Sequence, residues 1–203
     1  MERKRKLRRR SEQLVCTIEY AKNWLEANLT EERYEHSLGT AEAAMKLAHK
    51  YNLDGEKAYF TGLIHDCAKC LSKDETNKIL SSHLVTLTEE EICSPKTHHA
   101  PIGAYIAKKE FGVQDEEILS AIRWHTVGKL NMTIFEKIIF LADKIETRTR
   151  PEECINISKV LDEENGLNKA LLICYKHTIK SLVDRELNIC TPTIDIYNSL
   201  LQN

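Results

Sequence analysis

The segment GLIHDCAK (62–69) sets two hydrophilic side chains, His65 and Asp66, directly behind Leu63 and Ile64 in what reads as the inward face of a helix. A carboxylate among apolar neighbours is costly unless it is paired or holds a cation. Alone, the dipeptide reads most readily as a surface cap at a helix end. A functional reading needs other parts of the chain to bring further ligands to it.

On the N-terminal side, Asp54 opens the helix that runs through Ala58 to Ile64. Thr30 caps an earlier helix that carries Tyr34, Leu38, Ala41, Met45 and Ala48 together with His36. From about Glu12 to Asn28, Leu14, Ile18, Ala21 and Leu25 recur at helical spacing. On the C-terminal side, Ser72-x-x-Glu75, Thr88-x-x-Glu91 and Thr133-x-x-Glu136 fit the capping box, predicting helices that begin near 73, 89 and 134. Pro101 suits the first turn of a helix over Ile102–Phe111, stopped at Gly112. Asp115 caps the next, on which Ile118, Ile122 and His125 share a face. Phe135, Ile138, Ile139, Ala142 and Ile145 form a stripe beside Asp143, and a last long helix is expected from about Leu167 to Leu187. There is no β-alternation and no internal repeat, so the fold class is all-α.

Composition agrees: 42% apolar, 30% charged, with only 7 glycines and 4 prolines in 203 residues, describes a helix-rich globular chain. One domain over 12–203 is expected, behind a basic leader, 1–11, expected to be disordered. The leader MERKRKLRRR holds seven of the 29 basic residues and one of the 31 acidic ones, leaving 22 − 30 = −8 on the remainder. An acidic body without aromatic interleaving in the basic run argues against nucleic acid as a partner. No apolar run approaches the ~20 residues of a membrane span, and no secretory leader is visible, so a cytoplasmic protein is expected. Seven cysteines, odd in number and irregularly spaced, fit reduced thiols.

His36, one of His98 and His99, His125 and Asp143 each fall near an apolar helical face. With His65-Asp66 they give one explanation for several otherwise awkward polar residues: a nitrogen and carboxylate ligand set without thiolate, suited to iron, manganese, zinc or related ions and large enough for two metals sharing a carboxylate.

In order, His36, His65-Asp66 and Asp143 resemble the signature of the HD-domain superfamily of metal-dependent phosphohydrolases, which implies a helical bundle with a dimetal site in its core. HDCAK (65–69), HHAPIGA (98–104), AIRWHTVGK (121–129) and MTIFEKIIFLADKIE (132–146) resemble more narrowly the YqeK-like symmetrical diadenosine tetraphosphate hydrolases. The resemblance runs from about residue 15 to the C-terminus. It implies that His36, His65, Asp66 and Asp143 hold one metal and that Asp66 bridges to a second held by His99 and His125. It also implies a water or hydroxide between the ions as nucleophile, with iron the expected metal and manganese, zinc, cobalt or nickel as alternatives. Residue types alone do not separate His99 from His98.

Lys69, one helical turn past Asp66, can reach a substrate phosphate, making Asp66 and Lys69 the candidate catalytic pair. Thr126 and Gly128 can offer a hydroxyl and a close backbone approach. The family's Glu-Pro-x-Arg is replaced here by Glu146-Thr147-Arg148-Thr149-Arg150, so either Arg148 or Arg150 takes the phosphate-binding place. The expected substrate is diadenosine tetraphosphate or a related dinucleoside polyphosphate, with ADP as product, and a homodimer is the expected assembly. Two rivals stay open: the same metals acting on a deoxynucleotide, cyclic dinucleotide or guanosine alarmone, and a non-catalytic nucleotide sensor. Cys67-x-x-Cys70 has no second pair and no redox-fold setting, and the chain lacks glycine-rich phosphate loops.

Overall fold

The structure, a computed structural model, describes residues 18–88, 91–92, 94–150 and 157–202. These residues form helices and connecting turns with no strand, so the all-helical expectation holds. In chain order the main helices are α1 (18–28), α2 (Glu31–Lys50), α3 (Gly55–Ile64), α4 (Lys73–Ser81), α5 (His99–Glu110), α6 (Glu116–Trp124), α7 (Ile134–Ile145), α8 (Gly166–Asp184) and α9 (Thr191–Leu201). None of the described helices is long and apolar enough to cross a membrane.

Helix starts are where the capping residues put them. The Thr30 side chain accepts from Arg33 N at 3.4 Å and Asp54 from Lys57 N at 3.0 Å. Ser72/Glu75 and Thr133/Glu136 each form the reciprocal capping box, satisfying backbone donors that a helix start leaves free. Two boundaries differ from expectation. α5 begins at His99, three residues before Ile102, because a short 3₁₀ turn at Pro95–Thr97 feeds directly into it. The helix expected to end near Leu187 stops at Asp184, and α9 follows it, opened by Pro192 near its start. The leader 1–11, the first part of the helix expected from Glu12 and the start of the one near 89 lie outside the described residues.

Two apolar clusters share α2. One joins Ala44, Leu47 and Ala48 to Ile138, Ile139 and Leu141 of α7 and Leu171 and Cys174 of α8. The other joins Ala41 to Leu63 and Ile64 of α3, Ile102 and Ile106 of α5, and Ile118 and Ile122 of α6. α2 and α3 lie backbone to backbone where Gly62 meets Thr40 and Ala41. A Cβ at Gly62 would fall 2.9 Å from the Thr40 carbonyl oxygen and 3.0 Å from Ala41 Cα. The glycine sets α3 close enough to α2 for His65, just past its end, to stand beside His36.

Candidate metal centre

His36 projects from the second turn of α2, His65 and His125 cap the C-terminal ends of α3 and α6, His99 opens α5, and Asp143 sits late on α7. All five, with Asp66, are buried and meet in one cluster. Their rings run in a chain: His36 to His65 at 5.3 Å between centroids, His65 to His125 at 4.9 Å, and His125 to His99 at 5.2 Å. Asp143 Oδ1 lies 2.9 Å from His36 Nε2 and 3.8 Å from His65 Nε2. Asp66 Oδ1 lies 3.3 Å from His99 Nε2 and 3.4 Å from His125 Nε2, and its Oδ2 lies 3.9 Å from His65 Nε2.

The second ring nitrogen of each histidine decides what those distances mean. His65 Nδ1 donates to the Gly62 carbonyl at 2.7 Å, His125 Nδ1 to the Ile122 carbonyl at 2.7 Å, and His99 Nδ1 to the Lys96 carbonyl at 2.9 Å. A carbonyl only accepts, so in these three rings Nδ1 carries the proton and Nε2 presents a lone pair inward. His36 differs in having a carboxylate on each side, Glu146 at 3.1 Å from Nδ1 and Asp143 at 2.9 Å from Nε2. The cluster's interior is therefore lined by acceptors. His65 Nε2 and Asp66 Oδ1 are buried with no hydrogen-bond partner among the described residues, and His36 Nε2 meets the Asp143 carboxylate. Lone pairs converging in a dry interior call for a cation between them. Two triads have donor atoms within 4.8 Å of one another, His36/His65/Asp143 and His65/Asp66/His125. A nitrogen and oxygen set without thiolate fits transition metals of borderline hardness.

Electrostatics agree. Burial outweighs the nearby carboxylates and pulls His65 down to about 4, and burial together with His125 pulls His99 down to about 3, so both are neutral at physiological pH. His36 moves the other way, because Asp143 and Glu146 together overcome its desolvation. Asp66 and Asp143 also resist their burial and are held well below the usual carboxylate range. The histidines do this for Asp66, and Lys144 with His36 for Asp143.

Of the neighbouring histidines, His99 faces the cluster, while His98 Nε2 donates to the Glu91 carbonyl at 2.7 Å. The Lys69 ammonium stands over the His99 ring, 3.1 Å from Nε2, and burial depresses its pKa. Thr126 Oγ1 lies 3.1 Å from both His99 Nε2 and His125 Nε2. Gly128 has φ +73°, and a Cβ there would collide with the Tyr175 hydroxyl, which donates to the Val127 carbonyl at 2.8 Å. Gly128 thus allows the turn behind His125 to pack on Tyr175, away from the metal-facing atoms. The two arginines separate: Arg148 turns outward to Glu35 and to Glu42 at 2.7 Å, whereas an Arg150 nitrogen lies 3.9 Å from Asp143. Cys67 and Cys70 are free thiols, one buried and one exposed.

Three residues at the site were not singled out from sequence. Glu146 orients His36. Arg33 reaches to 3.5 Å from Asp66 Oδ2, and Lys144 to 2.6 Å from Asp143 Oδ2. Arg33 lies three residues before His36 and Lys144 directly follows Asp143, which is the available signal: basic residues beside candidate ligands.

The HD domain family model matches residues 33–148. The chain is 35% identical over 197 residues to the symmetrical bis(5'-nucleosyl)-tetraphosphatase of Bacillus subtilis, covering 95% of this chain and 97% of that protein. It is 37% identical over 177 residues to the protein of the same name from Halalkalibacterium halodurans, covering 86% and 91%. The crystal structure of a predicted HD superfamily hydrolase involved in NAD metabolism from Clostridium acetobutylicum superposes with a TM-score of 0.82 at 40% identity, covering 90% of this chain and 95% of that one. The converging histidines and aspartates and these matches over nearly the full length together place the chain in the HD-domain family, among the symmetrical bis(5'-nucleosyl)-tetraphosphatases.

Proposed function

We infer that the protein hydrolyses diadenosine tetraphosphate and related dinucleoside polyphosphates symmetrically, giving two ADP from the former. The observation that carries this is the likeness, over most of both chains, to relatives named for that reaction. The cluster around Asp66 supplies a site of the matching chemistry. We assign His36, His65, Asp66 and Asp143 to one ion, with Asp66 shared with a second held by His99 and His125. Iron is the ion we expect, with manganese, zinc, cobalt or nickel able to replace it in an imidazole-rich set. When bound, such ions neutralise phosphoryl charge and make water a nucleophile at neutral pH.

The chain's own groups set which bond breaks. Two ADP arise only if water attacks an interior phosphorus and a nucleoside diphosphate departs, so the inner phosphates must be gripped beside the cluster. Cations stand there on two flanks: Arg33 and Lys69 beside Asp66 and His99, Lys144 and Arg150 beside Asp143. Planar guanidinium at Arg33 and Arg150 suits bidentate contact with phosphate oxygens. Lys69, already partly desolvated, is placed to stabilise charge on a phosphoryl oxygen as the bond breaks. Arg148 is engaged by Glu35 and Glu42, so Arg150 is the arginine we assign to phosphate.

The test is chromatographic analysis of products from diadenosine tetraphosphate, with metal content measured in parallel. ADP as the sole nucleotide product, lost in Asp66→Ala while the variant still melts cooperatively as a helical protein, is the expected result. ATP plus AMP, or no turnover by metal-loaded protein, overturns the assignment.

A further inference from the structure

Beyond the metal cluster lies a cavity of about 380 Å³ whose wall includes Trp124, Thr126, Leu130, Phe140, Tyr175 and Asp195. Thr126 belongs to both places, since its hydroxyl touches the inward nitrogens of His99 and His125 while its residue lines the cavity. A somewhat larger cavity, about 460 Å³, lies among Trp24, Cys67, Ile79 and Tyr105, but none of the metal cluster's side chains lines it.

Two observations mark the cavity beside Thr126 as built for a ligand. Glu91, only 2% exposed, also lines it. Its Oε2 accepts from Thr88 N at 2.8 Å and Arg123 at 2.9 Å, while its Oε1 is buried with no hydrogen-bond partner among the described residues. A buried carboxylate oxygen left in that state is an acceptor waiting for a donor. The aromatic wall is also fixed in place: Phe140 stacks on Tyr175 at 5.6 Å and 8°, and the Arg123 guanidinium lies 5.1 Å from the Trp124 ring while bonding Glu91. One arginine thus holds both an aromatic surface and the carboxylate whose other oxygen is free.

We propose that this cavity seats one nucleoside of the substrate, with Glu91 Oε1 accepting a hydrogen bond from it and Thr126 at the threshold to the phosphates. The proposal rests on the dinucleoside polyphosphate reading. Ligand pockets run from about 300 to 1,000 Å³, so this one takes a single nucleoside and leaves the other outside. The enzyme therefore reads one end of a two-ended substrate and places the inner phosphates on the cluster by the depth of that seat. Adenosine offers two kinds of donor for Glu91, the 6-amino group and the ribose hydroxyls.

Calorimetric titration of the manganese-loaded full-length protein with ADP and with pyrophosphate isolates the nucleoside's share, since both carry a diphosphate. Leu130→Trp and Thr178→Trp fill the cavity from exposed positions and spare the core. Either is expected to lower the ratio of ADP to pyrophosphate affinity at least tenfold with metal content and pyrophosphate affinity unchanged. Glu91→Gln is expected to weaken ADP about tenfold. 2'-deoxy-ADP and IDP, tried on the unaltered protein, show which donor it meets, because the analogue lacking that donor is weakened to the same degree. An unchanged ratio in both tryptophan variants, or no preference of the unaltered protein for ADP over pyrophosphate, overturns the proposal. The two readings fail separately. Turnover of diadenosine tetraphosphate with an unmoved ratio removes the cavity assignment alone, and a ratio that collapses in a protein without turnover removes the reaction alone.

Discussion

Asp66 and Glu146 show two ways a carboxylate can serve one site. Asp66 has His65, His99 and His125 around it, and no N–H is directed at its Oδ1. Glu146 sits one layer out, 1% exposed, and acts through His36, receiving Nδ1 while also accepting from the Thr149 hydroxyl and from Arg148 N at 2.8 Å. Groups that orient a ligating imidazole typically carry about 10–100-fold of metal affinity. Glu146→Gln is accordingly expected to weaken metal binding by roughly that range, read by competition with a chromophoric chelator, with the helical circular dichroism unchanged. An unaltered affinity would leave Glu146 a structural brace. At this scale the sequence was legible only in part. His36, His65, Asp66, His125 and Asp143 stand out because each is polar beside an apolar stripe, and the structure brings them together. Glu146 does not stand out, because a glutamate one residue past a helix ordinarily faces water. Arg148 and Arg150 differ in direction through a turn whose conformation no periodicity encodes.

At the scale of the element, α7 carries Asp143 and leads to Glu146, so its start influences the site from a distance. Thr133 and Glu136 close the capping box. Glu136 in addition accepts from Lys129 at 2.7 Å and from the Ser120 hydroxyl, tying α7 to the middle of α6 and the turn after His125. Burial works against the ionised form, yet Lys129, Ser120 and the Thr133 backbone prevail, and the Glu136 pKa is lowered. A carboxylate depressed on folding contributes stability that is present above its unfolded value, near 4.5, and is lost as pH falls through the lower folded value. Glu136→Gln should therefore flatten the acid side of the melting-temperature profile below about pH 5, with its largest deficit at neutral pH. A profile parallel to that of the unaltered protein would refute the linkage. Thr133→Ala, removing the cap alone, should cost about 1 kcal/mol in a denaturant melt. Capping residues made most helix starts readable, whereas α9 was missed: its opening Cys190-Thr191-Pro192 has no side-chain cap and only Ile196 is fully buried, so its stripe is faint.

Across the whole molecule, the cluster draws a histidine or aspartate from α2, the ends of α3 and α6, the start of α5, and α7. Both apolar clusters send helices to it, so the buried, unpaired acceptors sit where the two halves of the core join. A cation bound there stabilises the folded state by mass action, about 2.7 kcal/mol at a hundredfold excess over Kd. Stripping metal with a chelator should lower the melting temperature by several degrees, and restoring manganese should recover it. Asp66→Ala should show little of this dependence. An identical transition with and without metal would mean that nothing binds at the cluster. The all-helical class was readable because stripes and caps recur along most of the chain. What was not readable is the approach of α3 to α2, which depends on a missing Cβ at Gly62.

The hydrogen bonds from His65, His99 and His125 to carbonyls three residues earlier are each made within a single turn of chain. During refolding, such a ring acquires its inward-facing nitrogen as soon as its own turn closes, on the submicrosecond timescale of helix formation. His36 has to wait until residue 146 arrives from 110 positions away. The site therefore has a built-in order of birth, three imidazoles posed by local geometry and the fourth recruited last, when α7 docks against α2.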